Sequence, residues 1–460
     1  MKRSLFIVLL VFAATLIGMA QNPVLQVTGG KIQGVESTKG VIIYKGIPYA
    51  APPNGDLRWK APQDVIPWQG VRVADHFGPA SLQGAHVYDP NRTVKEYGDV
   101  DYVKEFFMAG DPVFSEDCLY LNVWQPADAK KGDKLPVAFW IHGGSFMGGY
   151  GYEKEFSGDE YAHRGVILVT INYRVGILGF LAHPELTAEN PHHVSGNYGL
   201  LDEIKALEWV HDNITEFGGD PNNITIFGQS AGAISVRCLV SSPVNKVKIA
   251  HAIIQSGGGL KVSEGPVQPL TLAQGEQIGL AMFPGKSLKE MRTMGIPELT
   301  ATYYDFVKRF PSFIMFSPII DNYAMINDLG PLMKKHAIMH IPYMLGVTLD
   351  DMDFSRMTPN IPNFSLELEK NGYKPAYLYE FMHRLPGDGA GAFHSAELWY
   401  MFGTLKNCWR PMTQADYNLS DEMITYWTNF MKNGNPNGKG VSQWNPYSKK
   451  NPFLKKFDTK

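Results

Sequence analysis

Two hydrophobic periods alternate along the chain. Short apolar, largely β-branched runs read as buried strands: "LPVAFWIHGG" (135–144), "GVILVTINYR" (165–174), "NNITIFG" (222–228), "AHAIIQSG" (250–257), "IPYMLGV" (341–347) and "AYLYEFM" (376–382). Between them lie stretches with apolar residues every three to four positions, which read as helices. "LLDEIKALEWVHDNI" (200–214), "AGAISVRCLV" (231–240) and "LSDEMITYWTNFMKNG" (419–434) are of this kind. In the last, Ser420 suits an N-cap and Gly434 the residue past the helix end. Strands alternating with helices predict an α/β fold on a mostly parallel central sheet. No repeat or low-complexity linker divides the chain, so residues 21–460 are expected to form one domain. The less regular stretch 258–335 is expected to be a helical cap or side lobe.

Composition narrows the class further. The 460 residues are 44% hydrophobic and 19% charged with a formal net charge of −3, which gives no reason to expect a nucleic-acid partner. Residues 1–20 read as a signal peptide: Lys2 and Arg3, an apolar run from Leu5 to Ile17, then Gly18-Met19-Ala20. Cleavage after Ala20 would leave an exported chain, periplasmic or secreted, with no membrane anchor. Cys118, Cys238 and Cys408 cannot all pair internally and are expected to be free buried thiols. The absence of CxxC and HExxH gives no support for a metal site, and no cofactor is expected.

The chemistry-bearing signal is "FGQSAGAISV" (227–236). It places Ser230 between Gly228 and Gly232, at the junction of a predicted strand and a predicted helix. Strand, sharp turn, helix is the geometry of a nucleophile elbow. Small residues are needed there because the strand and helix backbones cross closely. A serine nucleophile needs donors for the oxyanion it creates, and one donor is worth about 3–4 kcal/mol in the transition state. "HGGSFMGG" (142–149) follows a strand and offers unshielded N–H groups, so Gly143, Gly144 and Ala231 are the candidate oxyanion hole. A base and an acid should follow in the order Ser, Asp/Glu, His. His394 in "GAFHSAELWYMFG" (391–403) competes with His383 and His340 for the base. Asp350, Asp351 and Asp353 in "GVTLDDMDF" (346–354) compete for the acid, and spacing does not choose among them.

An ordered series of stretches resembles the type B carboxylesterase and cholinesterase family of α/β-hydrolases over nearly all the mature length. It includes "YKGIPYAAPPNGDLRWKAPQ" (44–63), "SEDCLYLNVWQP" (115–126), "FWIHGGSFMGG" (139–149), "GNYGLLDEIKALEWVHDNITEFGGDPNNITIFGQSAG" (196–232) and "DYNLSDEMITYWTNFMKNGNPNG" (416–438). The resemblance implies an α/β-hydrolase fold with Ser230 as nucleophile, His394 as base, and Gly143, Gly144 and Ala231 as oxyanion donors. It puts Asp351 in the acid's slot, with Asp350 second, and Ser256 where a serine supports the acid in relatives.

Departures from the family pattern are also present. Asp351 stands where Glu is usual, so its loop must approach His394 more closely. Gln229 replaces a Glu beside the nucleophile. Ser81 stands where relatives carry the Cys that pairs with the counterpart of Cys118. Met352 replaces a Gly. The short Asp351-to-His394 segment implies a reduced helical cap and an open cleft, with residues 84–112 at its entrance. The implied activity is ester hydrolysis through an acyl-enzyme, on small acyl or aryl esters, free or glycan-linked. A serine amidase or peptidase on the same fold, or an adhesion relative that binds without catalysis, is the alternative. Oligomeric state is not legible.

Overall fold

The computed structural model describes residues 23–83, 100–107, 112–258, 269–310, 316–351 and 354–459. The predicted leader 1–20, most of the predicted entrance segment 84–112, Met352 and the acid candidate Asp353 lie outside the described residues.

Ten strands form the central sheet. In chain order they are β1 (Val35–Thr38), β2 (Val41–Pro48), β3 (Tyr120–Pro126), β4 (Leu135–Ile141), β5 (Ile167–Ile171), β6 (Gly219–Gln229), β7 (His251–Gln255), β8 (Tyr343–Thr348), β9 (Tyr377–Phe381) and β10 (Lys455–Phe457). Their spatial order is β10-β9-β8-β7-β6-β4-β5-β3-β2-β1. Across the sheet from β10 to β5 every pairing is parallel, and the antiparallel pairings are β5 with β3, β3 with β2 and β2 with β1. The structure is thus an α/β-hydrolase fold on a mostly parallel sheet. A small three-stranded sheet (Val24–Val27, Gly30–Gln33, Val71–Val73) stands apart from it.

Side chains on the central strands alternate between two cores, as period-two geometry requires. On β4, Val137, Phe139 and Ile141 enter one core, while Ala138 and Trp140 enter the other. The first core is closed by the helices Tyr198–Asn213 and Ala231–Leu239, through residues such as Leu207 and Val236. The second is closed by the helix Gln414–Asn433, through Met423, Trp427 and Phe430.

That last helix corrects one expectation. It starts five residues before Leu419, capped by Thr413, whose N–H and hydroxyl both meet the Asp416 carboxylate. Ser420 is a buried mid-helix residue donating to the Tyr400 carbonyl at 2.8 Å. The capping box wins because it satisfies orphan N–H groups that Ser420, two turns later, has no chance to meet. Gly434 ends the helix in the left-handed region at φ 72°, as expected.

Within 258–335 the described residues carry four helices: Leu272–Met282, Leu288–Thr293, Ile296–Arg309 and Leu329–Lys334. They are docked on the body, not hinged away from it. The Arg58 guanidinium, 5% exposed, donates to the Met294 carbonyl at 2.9 Å and pairs with Glu116. Cys118 and Cys238 are buried free thiols, whereas Cys408 is only half-buried.

Candidate active site

The site lies at the carboxyl ends of the parallel strands, where an open α/β sheet leaves a crevice. β6 delivers Gln229 as its last residue, and Ser230 is the turn between it and the helix Ala231–Leu239. Ser230 sits at φ 56°, ψ −122°, outside the favoured regions for an L-residue, at a cost of about 1–3 kcal/mol. The glycines around it have a steric reason. A Cβ on Gly232 would come within 2.0 Å of the Ile141 carbonyl, and one on Gly228 within 2.5 Å of the Gly232 backbone. The elbow therefore forms only where strand and helix lack side chains at their crossing.

The loop after β4 brings Gly143 against the elbow: a Cβ there would lie 3.1 Å from the Ser230 Cβ and 2.9 Å from the Gln229 carbonyl. Gly144 follows at φ 98°, then Ser145 and Phe146 at φ 57° and 59°. This run turns the loop sharply, with the Met147 and Gly148 N–H groups returning to the Gly144 carbonyl, and Ala231 opens the helix that follows the elbow. His142 braces the loop. Its Nδ1 meets the Gly143 carbonyl at 2.8 Å, its ring stacks on Tyr173 at 4.4 Å, and its own carbonyl accepts from the Tyr173 hydroxyl. Burial lowers its pKa to about 4, so it is neutral in the working range. Ser145 and His142 were absent from the sequence expectations, although both stand in the glycine-rich loop.

β8 and β9 deliver the two remaining side chains. Three residues past β8, the Asp351 carboxylate meets His394 Nδ1 at 2.7 Å through Oδ1 and accepts from the Thr348 hydroxyl at 3.2 Å through Oδ2. Both partners are buried, with side chains 0% and 6% exposed. Burial opposes the charging of His394, but the adjacent Asp351 carboxylate outweighs it and holds the imidazole above the ordinary histidine range. On the other ring nitrogen, the Gln229 amide lies 3.1 Å from His394 Nε2. The Tyr102 hydroxyl donates to the His394 carbonyl at 3.0 Å.

The rival candidates lie elsewhere. Asp350 faces away from the imidazole, bonded to Arg384 at 3.1 Å and to the Ala392 N–H at 2.9 Å. His383 is held by Asp416 at 2.7 Å, and exposed His340 stacks on Tyr373 at 3.9 Å. Ser256 is buried beside β7 at φ 49° and its hydroxyl has no hydrogen-bond partner among the described residues. Sequence reasoning also passed over Glu397, three residues after His394. It is fully buried, accepts from Gln255 at 3.5 Å, and has its pKa pushed up to about 7 by burial and the Asp351 charge. A mostly apolar pocket opens next to the glycine-rich loop, walled by Leu82, Met147, Ile177, Leu299 and Tyr303. Among the described residues no cluster of three or more His, Cys, Asp or Glu could hold a metal ion, and no helix is long and apolar enough to cross a membrane.

This chain matches the model of the carboxylesterase family over residues 21–362 and 354–460. It is 39% identical to fumonisin B1 esterase of Sphingopyxis macrogoltabida over 326 residues, 70% of this chain and 55% of that protein. It is 31% identical to cocaine esterase of Oryctolagus cuniculus over 497 residues, 92% of this chain and 90% of the relative. Among solved structures, a thermophilic PNB esterase superposes with a TM-score of 0.81 at 27% identity, covering 95% of this chain and 96% of its own.

Proposed function

The chain belongs to the carboxylesterase family and is a carboxylic-ester hydrolase, and from that premise we propose that it works through Ser230, His394 and Asp351 by way of an acyl-enzyme. The observation that carries this reading is the 2.7 Å pairing of Asp351 with His394 beside the strained elbow at Ser230. His394 takes the Ser230 proton as the hydroxyl oxygen attacks the ester carbonyl, whose π pair moves onto oxygen. The N–H groups of Gly143, Gly144 and Ala231 hold that oxyanion, with Ser145 next in the same run. The alcohol leaves with the proton from His394, and water repeats the sequence on the acyl-enzyme. Asp351 keeps Nδ1 protonated and stabilises the imidazolium without taking its proton.

The substrates we propose are small acyl or aryl esters, including those carried on glycans, met outside the cytoplasm after removal of residues 1–20. Export, to the periplasm or the medium, rests on the leader-like pattern of residues 1–20. A small acyl or aryl group suits the apolar cavity beside Met147. Fumonisin B1, the ester named for one relative, belongs in the same substrate panel. The test is hydrolysis of p-nitrophenyl esters from acetate to octanoate by wild type and Ser230→Ala. Turnover by wild type with a loss of about 10³-fold or more in the variant is expected. Equal rates in both would overturn the assignment, and faster cleavage of the matching anilides would make the enzyme an amidase.

A further inference from the structure

His394 carries two opposed hydrogen bonds. Nδ1 meets the Asp351 carboxylate at 2.7 Å, and Nε2 meets the Gln229 side-chain amide at 3.1 Å. A carboxylate only accepts, so Nδ1 holds the ring proton and Nε2 of the neutral ring holds a lone pair. The amide group facing that lone pair is therefore the NH2, and Gln229 is the donor. Gln229 is 3% exposed, and its amide oxygen lies on the Gly143 side. Among the described residues no hydrogen bond joins the Ser230 hydroxyl to the imidazole. The lone pair that must receive the serine proton is thus occupied, in the resting site, by the residue immediately before that serine.

We propose that Gln229 is a positioning residue that caps the base: its amide holds His394 in the neutral, Nδ1-protonated form and yields Nε2 to Ser230 when substrate arrives. This rests on the hydrolase reading above. The exchange balances. The amide N–H leaves the lone pair, the Ser230 proton moves onto Nε2, and the serine oxygen bonds to the carbonyl carbon. Once Nε2 carries a proton, an amide rotated about its last bond presents its oxygen instead and accepts from the imidazolium. Glutamine can serve both states because one end donates and the other accepts. A glutamate at 229 could only accept, and so would favour the charged ring throughout.

The cap has a direction that can be measured. A donor on Nε2 favours the neutral ring and opposes Asp351, which favours the charged one. The other groups facing His394 are few among the described residues. Glu397 lies three residues along the same loop, and the Tyr102 hydroxyl sits on the His394 carbonyl. Tyr379 on β9 faces Asp351 and Glu397, while Arg410 and Glu105 stand behind Phe393. Replacing Gln229 leaves all of these in place.

The experiment compares wild type with Gln229→Met, which keeps length and removes the donor, and with Gln229→Glu. The readout is the rate of Ser230 labelling by a fluorophosphonate probe from pH 4.5 to 9, with circular dichroism to establish folding. Labelling of wild type tests the hydrolase reading, and the pH at which labelling falls by half tests the cap. The acid limb is expected to move up in both variants, by about 0.5 pH unit in Gln229→Met and by about 1–2 in Gln229→Glu. A limb that stays fixed in both folded variants, or moves down in Gln229→Met, would overturn the proposal while leaving the hydrolase reading intact. Should Gln229→Met not fold, Gln229→Glu is compared with Gln229→Asn instead. Only the glutamate should then raise the limb strongly, and an equal limb in the two would overturn the proposal.

Discussion

Asp350 and Ala392 exchange two hydrogen bonds. The Asp350 N–H donates to the Ala392 carbonyl at 3.0 Å, and the Ala392 N–H donates to Asp350 Oδ2 at 2.9 Å. Each residue is next to, or two positions from, a member of the Asp351–His394 pair, so the exchange stitches the loop after β8 to the loop after β9. An aspartate at 351 is one methylene shorter than the glutamate usual in the family. The stitch draws the two loops close enough for the shorter side chain to reach Nδ1.

The two neighbouring aspartates should therefore fail differently. Asp351→Asn keeps the shape but loses the charge that sets the ring tautomer, and kcat/KM should fall by about 10³–10⁴-fold. Asp350→Ala removes one half of the stitch and the Arg384 pairing while leaving the backbone bond. Its loss should stay near 10-fold and appear with a lower Tm. Steady-state kinetics on both variants separates the roles, and a larger loss at position 350 would reverse them.

The pH profile follows from the same pair. In the proposed mechanism His394 must be neutral to act as base, and its pKa is held above the ordinary histidine value by Asp351 against the opposing effect of burial. Activity should therefore be lost as pH falls through a midpoint above about 6.5. In Asp351→Asn the raising charge is gone and burial remains, so the midpoint of the residual activity should move down. A kcat/KM profile for both proteins tests the sign.

What the sequence disclosed and what it withheld divide on a physical line. The elbow was legible because Gly228, Ser230 and Gly232 are local: a tight crossing imposes small residues at fixed offsets. The choice between Asp350 and Asp351 was not legible from spacing. It depends on which side chain faces a residue over forty positions away, and one step in register reverses it. The cap at Thr413 was missed because the apolar periodicity begins only at Leu419, while the first turn of that helix is held by polar bonds. Glu397 and the Gln229 amide bond were invisible for a third reason: both arise from burial against residues far along the chain.

The elbow's steric account predicts that Gly232→Ala is severe. The new methyl group would meet the Ile141 and His142 carbonyls at 2.0 and 2.7 Å, and both belong to β4 or the loop that follows it. Neither can move without disturbing the central sheet or the oxyanion loop. Destabilisation of at least about 3 kcal/mol is expected, with activity lost in any protein that folds. Urea unfolding of the variant measures the first, and probe labelling of Ser230 the second.

Ser81 and Cys118 offer a place to install a cross-link. The buried Cys118 thiol has the Ser81 side chain among its neighbours, and the Ser81 hydroxyl accepts the Val175 N–H at 3.2 Å. Ser81→Cys should therefore bond to Cys118 under oxidising conditions, closing the intervening loop. Loop closure of this kind typically contributes about 2–4 kcal/mol, reduced here by loss of the Val175 hydrogen bond. Tm should rise in the oxidised variant and return near wild type on reduction. No difference between the two redox states would mean that the sulfurs cannot reach one another.

Glu105 lies in the stretch expected at the cleft entrance, and it is among the most heavily bonded carboxylates of the described residues. It is 1% exposed and accepts from the Trp399 and Trp409 indoles at 2.9 and 2.7 Å and from Arg410 Nε at 3.0 Å. One turn earlier on the same short helix (Tyr102–Phe106), Tyr102 holds the His394 carbonyl. Glu105→Ala would leave the buried Trp399 indole N–H and that of the more exposed Trp409 without this acceptor, and Arg410 with only Asp388 and the Pro386 carbonyl. Removing one partner of a buried pair costs about 3–5 kcal/mol, and the remaining Asp388 puts this case at the lower end. Because the helix also braces the His394 loop, kcat should fall more than KM changes. Glu105→Gln keeps one acceptor oxygen and should recover part of both losses. Denaturant unfolding and steady-state kinetics on the two variants test this, and an Ala variant as stable and active as wild type would show that the helix neither anchors nor positions the loop.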